Sequence, residues 1–167
     1  MEYLDLYDKN ARKTGRVILR GMPIRQGEYS MAVHLYIYDT SGRFLMQKRS
    51  KNKRSLPGIW SITCGAVSSG EDSIAAGIRE AKEEVGLTIK AEDMEKICRI
   101  RKKRSFVDVY FVQKDFKIED CVLQEEEVDA VRLCTAKEMF ALISSYETRH
   151  TQYIDALEAA MREKGFL

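Results

Sequence analysis

The chain has 167 residues, 44% of them hydrophobic and 32% charged, with a formal net charge of +2. That length suits a single domain over residues 1–167 with one core, and so small a net charge supplies no general drive toward nucleic acid or a membrane surface. Cys64, Cys98, Cys121 and Cys134 form no C-x-x-C pair, the start MEYLDLYDKN lacks an apolar signal region, and no apolar run approaches membrane-spanning length. A cytoplasmic protein with a small-molecule partner, no nucleic acid and no membrane is therefore expected, and a homodimer is compatible with the sequence.

Residues Tyr3–Tyr7 and 16–20 flank the turn-rich DKNARKTG and predict an N-terminal hairpin of structural role. In residues 30–39, Met31, Val33, Leu35 and Ile37 alternate with Ala32, His34, Tyr36 and Tyr38, which predicts a strand buried on at least one face. A lone histidine in such a run is more often structural than a ligand, so His34 is left out of the site. Thr40-Ser41-Gly42-Arg43 makes a turn, and Phe44–Arg49 returns as the second strand of a hairpin. The basic loop SKNKRS follows, then Leu56-Pro57-Gly58-Ile59-Trp60, whose Pro-Gly turn leads the single tryptophan into a core position.

Next comes the stretch GAVSSGEDSIAAGIREAKEEVGL, residues 65–87. At about 100° per residue Glu80, Glu83 and Glu84 share roughly a 100° arc, while Ile74, Ile78, Ala81 and Val85 occupy another face. Asp72 or Ser73 can cap the start, and Gly86 suits the left-handed residue past the end. Unneutralised, each like-charged pair one turn apart costs the helix about 0.2–0.5 kcal/mol, a sign that a divalent cation would reverse. Carboxylate oxygens are the ligands preferred by Mg²⁺ and Mn²⁺, and Mg²⁺ commonly shares its coordination with a substrate phosphate. Against this stands an ordinary solvated Glu/Lys/Arg face.

Residues 94–103 and Ser105–Gln113 predict a further strand pair, with Arg99, Arg101, Lys102, Lys103 and Arg104 at the junction. That cluster is either a solvated tip or a clamp for diphosphate. Glu125, Glu126 and Glu127 precede another strand, Val128–Cys134. Thr135 and Glu138 form a capping box for a helix running to about residue 145. A last helix is expected over residues 148–164, with Tyr153, Ile154, Leu157 and Met161 on its apolar stripe. Strands, helix, strands, then helices make an α+β pattern around a mixed sheet.

Gly65, five residues, Glu71, seven residues, then Arg79-Glu80-Ala81-Lys82-Glu83-Glu84-Val85-Gly86-Leu87 resembles the signature of the Nudix hydrolases, departing only at Ala81, where a larger aliphatic residue is usual. The likeness extends upstream through G-E-Y-S-x-A-V-H, L-x-Q-K-R-S and L-P-G-I-W, covers roughly residues 1–135, and is similar to the branch that includes isopentenyl diphosphate isomerase. It implies an α/β/α sandwich with a mixed β-sheet, and Mg²⁺ or Mn²⁺ held by Glu80, Glu83, Glu84 and the Gly65 carbonyl. It also implies catalytic roles for Glu80, Glu83 and Arg79, with Arg79 orienting carboxylates through Glu83 or Glu71. A glutamate before a late strand is a further family feature, and among Glu125, Glu126 and Glu127 the central Glu126 is favoured. Isomerases pair a Cys-Gly-His run with a second histidine upstream. Here Cys64-Gly65 remains, but Ala66 and Ser30 stand at the histidine positions and cannot replace an imidazole. Hydrolysis of a diphosphate linkage in a nucleoside diphosphate derivative or related small metabolite is therefore the leading reading, with Cys64 a buried small hydrophobe. Isopentenyl diphosphate isomerase is the alternative, and the intact carboxylates disfavour a noncatalytic ligand-binding domain.

Overall fold

The computed structural model describes residues 1–147 and 150–167. Its strands are β1 Tyr3–Tyr7, β2 Lys13–Leu19, β3 Ser30–Tyr38, β4 Phe44–Arg49, β5 Trp60–Ser61, β6 Thr63–Ala66, β7 Met94–Arg101, β8 Ser105–Gln113 and β9 Val128–Cys134. Its α-helices are α1 Ser73–Val85, α2 Ala136–Tyr146 and α3 Thr151–Glu163. The expected last helix began at residue 148; residues 148 and 149 lie outside the described residues.

Alternation along β3 separates two layers of core. Met31, Val33, Leu35 and Ile37 pack with Ala76, Ala81 and Val85 of α1. Tyr36 and Tyr38 join Phe44 and Phe111 beneath Met139 and Ile143 of α2 and Tyr153, Leu157 and Met161 of α3. A sheet with apolar residues on both faces must be covered on both, and the result is the α/β/α sandwich that the family resemblance implied, in keeping with the α+β pattern. The seven-stranded sheet is mixed: β3 runs parallel to β8 over its whole length, and its path is β5-β4-β3-β8-β7, with β6 also on β3 and β9 also on β4.

The expected hairpin of β3 and β4 exists only at its turn, where Tyr38 pairs with Phe44. Beyond that point β5 takes the freed edge of β4 at Gln47 and Lys48, opposite the edge held by β9, and β6 takes the edge of β3 at residues 32–35. A strand has two hydrogen-bonding edges, and here distant segments fill the ones a simple hairpin would use. The strands splay, and β6 brings Cys64 and Gly65 into the opening.

The N-terminal hairpin forms as expected, as a separate two-stranded sheet. Asp5 of β1 accepts from Ser69 Oγ at 2.7 Å and Gly70 N at 3.1 Å, strapping the hairpin to the loop before α1. Asp72 caps α1 by accepting from Ala75 N at 2.8 Å, and Gly86 ends it at φ 76°. A Cβ on Gly86 would lie 2.7 Å from Val122 N, so both dihedral and space require glycine there. Ile74 and Ile78 are half-buried, whereas Ala76 and Gly77 are fully covered, because α1 sits close enough that a Cβ on Gly77 would meet Met94 Cε at 2.7 Å. Thr135 and Glu138 make the expected capping box on α2. Trp60 is half-buried, with the Arg132 guanidinium 4.7 Å from its ring centroid.

Asp108 carries no sequence signal beyond its place in a strand, yet it is fully buried in β8. It accepts from Ser73 Oγ at 2.6 Å, Arg99 Nε at 2.5 Å and Lys96 Nζ at 2.8 Å, so it ties the start of α1 to the β7–β8 pair. Burial alone would raise its pKa, but the Arg99, Lys96 and Ser73 donors outweigh that and hold it below the usual carboxylate range. Three of the five residues of the basic cluster are spent structurally: Arg99 on Asp108, Lys102 on Glu147 at 3.1 Å, and Arg104 on the Arg25 carbonyl at 3.1 Å. Replacing Asp108 by Ala is expected to cost about 1–3 kcal/mol, since the buried Ser73 hydroxyl and the Arg99 and Lys96 cations lose their shared acceptor. Lys96→Ala, at an end of the network 41% exposed, should cost no more than about 1 kcal/mol; urea unfolding of both variants checks the order.

Candidate active site

Glycine at position 65 has a steric cause. A Cβ there would fall 1.9 Å from Glu80 Oε1, so the absence of a side chain on β6 lets the α1 carboxylate lie against the strand. Arg79, one residue before, fixes the group. Its Nε and Nη2 grip Glu71 at 2.8 and 2.9 Å, Nη1 reaches Glu80 at 2.7 Å and Glu83 at 3.2 Å, and Nη2 also donates to the Ala66 carbonyl at 3.0 Å. Both partners expected for Arg79, Glu71 and Glu83, are engaged.

Glu84 is held from the other side. Thr63 Oγ1 donates to Gln47 Oε1 at 3.0 Å, which leaves Gln47 Nε2 to donate to Glu84 Oε2 at 2.8 Å, and Cys64 N donates to the same oxygen at 3.2 Å. Each of the three glutamates thus commits one oxygen to the protein, while among the described residues no donor reaches the other. Hard oxygen donors left free on a shared wall fit a divalent cation. They do not form a ready cage: among the described residues no three His, Cys, Asp or Glu side chains converge on one point.

Burial raises the Glu80 carboxyl against the pull of Arg79, and raises Glu84 to about 7 against Gln47, with the charge of Glu80 adding to the rise. Glu80 and Glu84 are 8% and 4% exposed, so ionising both in this setting is costly without more positive charge than Arg79 supplies.

These residues line a cavity of about 510 Å³, within the range of ligand-binding clefts. Gly65, Arg79, Glu80, Glu83 and Glu84 meet there as expected from the sequence, with Ala66 and Ser30 on the same wall. Glu126 is exposed and is not part of the wall; Glu127 is, and its carboxylate pairs with Lys53. Sequence reasoning passed over Gln47, Arg49, Lys53, Glu2 and Arg20. The first two lie in the L-x-Q-K-R-S segment and Lys53 in the basic loop after it, whereas Glu2 and Arg20 come from the hairpin assigned a merely structural role. His34, set aside earlier, also lines the cavity, and its Nδ1 lies 2.8 Å from the Tyr153 hydroxyl. Burial lowers His34 to about 3, with Lys102 adding to the effect. Cys64 is half-buried on the cavity wall, and burial together with Glu84 pushes its thiol up to about 12.

The chain matches the NUDIX domain family over residues 28–157. It is 36% identical over 148 residues to an uncharacterised Nudix hydrolase of Listeria innocua, covering 88% of each chain. It is 35% identical to an isopentenyl-diphosphate Δ-isomerase of Streptomyces griseus over 86 residues, which is 51% of this chain and 44% of that one. Among solved structures, a Deinococcus radiodurans protein superposes with a TM-score of 0.71 at 24% identity, covering 87% of this chain and 90% of the other.

His34 makes one consequence measurable. Between about 3 and the ordinary 6.5 the unfolded chain takes up a proton that the folded chain refuses. Stability from this group is therefore complete above 6.5 and is lost as pH falls toward 3, with a slope of at most about 1.4 kcal/mol per pH unit. His34→Gln should flatten the pH dependence of urea unfolding in that window relative to wild type; identical slopes would show that His34 titrates normally.

Proposed function

The chain belongs to the Nudix hydrolase family, and on that premise we propose that it is a metal-dependent enzyme cleaving a diphosphate linkage in a nucleoside diphosphate derivative or related small metabolite. The observation that carries this reading is the wall of the 510 Å³ cavity, where three glutamates each present an unengaged oxygen beside Arg20, Arg49 and Lys53. Glu80, Glu83 and Glu84 would hold Mg²⁺ or Mn²⁺, joined by the Gly65 carbonyl as the family resemblance implies. When bound, the ion supplies Lewis acidity toward phosphate oxygen and makes water a stronger acid.

The remaining work falls to the chain. Arg49 and Lys53, with Arg20 beside them, would bind phosphate oxygens and offset the negative charge that the carboxylates and substrate bring together. Arg79 keeps the glutamate oxygens aimed, and acts by positioning. Glu127, rather than Glu126, is assigned to orient or deprotonate water, because it alone of the acidic run faces the cavity. Its present partner Lys53 is freed for substrate when phosphate arrives. The isomerase reading is weaker: Ser30 and Ala66 provide no imidazole on this wall, and a thiol held near 12 is a poor source of thiolate. We propose a cytoplasmic location, where the four cysteines, all free in the structure, would stay reduced; separately, none of the described helices is long and apolar enough to cross a membrane.

Phosphate release from a panel of diphosphate compounds with and without Mg²⁺ tests the activity. Within it, Glu127→Gln should lose about 10²–10⁴ in rate while Glu125→Gln and Glu126→Gln stay close to wild type. Three near-wild-type rates would remove this loop from the chemistry. Gly65→Ala should expel the Glu80 carboxylate and weaken the Mg²⁺-induced rise in melting temperature, whereas Cys64→Ala should leave that rise and the turnover in place. Loss of turnover in Cys64→Ala with unchanged melting would instead favour the isomerase.

A further inference from the structure

A second cavity, about 210 Å³, adjoins the first on the α2–α3 face of the sheet and shares His34, Arg49 and Cys64 with it. Its walls include Tyr36, Ile62, Ile143, Tyr146 and Tyr153, so they are largely aromatic and aliphatic. At its edge Lys102 pairs with Glu147 at 3.1 Å and lies 5.4 Å from the Tyr153 ring centroid, while Arg49, shared with the first cavity, donates its Nε to the Ser55 carbonyl at 3.1 Å. Phosphate therefore has Arg20 and Lys53 in the first cavity and Arg49 at the boundary, and an uncharged group suits the interior of the second.

Three polar groups in this wall form a chain. The Tyr36 and Tyr153 hydroxyls are 2.7 Å apart, and Tyr153 lies 2.8 Å from His34 Nδ1. Tyr36 is 0% exposed, and among the described residues Tyr153 is its one hydroxyl partner; the assignment that leaves no buried hydroxyl hydrogen unpaired has Tyr36 donating to Tyr153 and Tyr153 donating to His34 Nδ1. The neutral imidazole then carries its own hydrogen on Nε2. No acceptor among the described residues meets it.

We propose that the second cavity receives the group esterified to the diphosphate, and that this group is a small uncharged ring or branched chain whose single acceptor oxygen is read by His34 Nε2–H. The inference rests on diphosphate cleavage in the first cavity and adds the class of substrate. A volume of 210 Å³ is below the roughly 300–1,000 Å³ of clefts that enclose drug-sized ligands, which favours one ring over a base plus its sugar.

Two diphosphates that differ in one atom test it, tetrahydrofurfuryl diphosphate with an ether oxygen in its ring and cyclopentylmethyl diphosphate with a CH₂ there. Their methylene-bridged analogues, which resist cleavage, serve for binding to the full chain in Mg²⁺. The chain has two histidines, His34 and His150, so ¹⁵N-labelled imidazole signals resolve them. The tetrahydrofurfuryl analogue should shift the His34 Nε2–H signal, leave His150 alone and bind about tenfold more tightly than the cyclopentylmethyl analogue. Tyr146→Ala, confirmed as folded by its melt, should raise kcat/KM for ADP at least tenfold relative to tetrahydrofurfuryl diphosphate by enlarging the cavity. Equal affinities, an unmoved His34 signal or an unchanged ratio would each overturn the subsite. A His34 shift with no cleavage of either diphosphate would keep the subsite and sink the hydrolase reading; cleavage without the shift would do the reverse.

Discussion

Arg79 has five N–H donors, and all of them are spent: two on Glu71 in the loop, one each on Glu80 and Glu83 of α1, and one on the Ala66 carbonyl at the end of β6. A planar fork can brace loop, helix and strand at once, which the single ammonium of a lysine cannot. The site depends on this brace because Glu80 and Glu84 are nearly buried carboxylates. Arg79 and Gln47 oppose the cost of that burial without cancelling it, as the raised pKa values of both glutamates show.

The rest of the fold protects the geometry of that brace. Gly65 leaves the volume that Glu80 fills, Asp72 and Gly86 set the ends of α1, and Asp108 ties Ser73 at the start of α1 to the sheet beneath. The cleft itself comes from the divergence of β3 and β4. Because β9 and β5 pair with β4 while β6 and β8 pair with β3, backbone hydrogen bonding stays satisfied on both sides of the opening. The N-terminal hairpin then supplies Glu2 and Arg20 to one wall, and α2 and α3 close a second cavity behind His34.

Features carried by local chemistry were legible from residues alone. The caps at Asp72 and Gly86, the capping box of Thr135 and Glu138, the hairpin at the N-terminus and the alternation of β3 each depend on a few neighbouring residues, and the structure shows all of them. The carboxylate arc of α1 follows from helical periodicity over five positions. Arg79 and its partners were legible for the same reason, since Glu83 lies one turn away and Glu71 lies in the adjoining loop.

Other assignments needed the tertiary structure, because they turn on which segments meet. Three successive glutamates look alike in a sequence; the tight turn in which both Glu127 N and Val128 N donate to the Gln124 carbonyl at 2.8 Å directs Glu127, and not Glu126, to the cavity. Asp108 reads as a polar residue in a strand until Arg99, Lys96 and Ser73 arrive from three other places in the chain. His34 reads as an ordinary core histidine, and its hydrogen-bond partner, the Tyr153 hydroxyl, lies 119 residues away. Composition and spacing determined the α+β pattern around a mixed sheet and the carboxylate helix, since both arise from short-range periodicity and burial, while the sandwich was implied by the family resemblance. The pairing of edges, the inward-facing glutamate and the second cavity were decided by long-range packing, which short-range patterns do not encode.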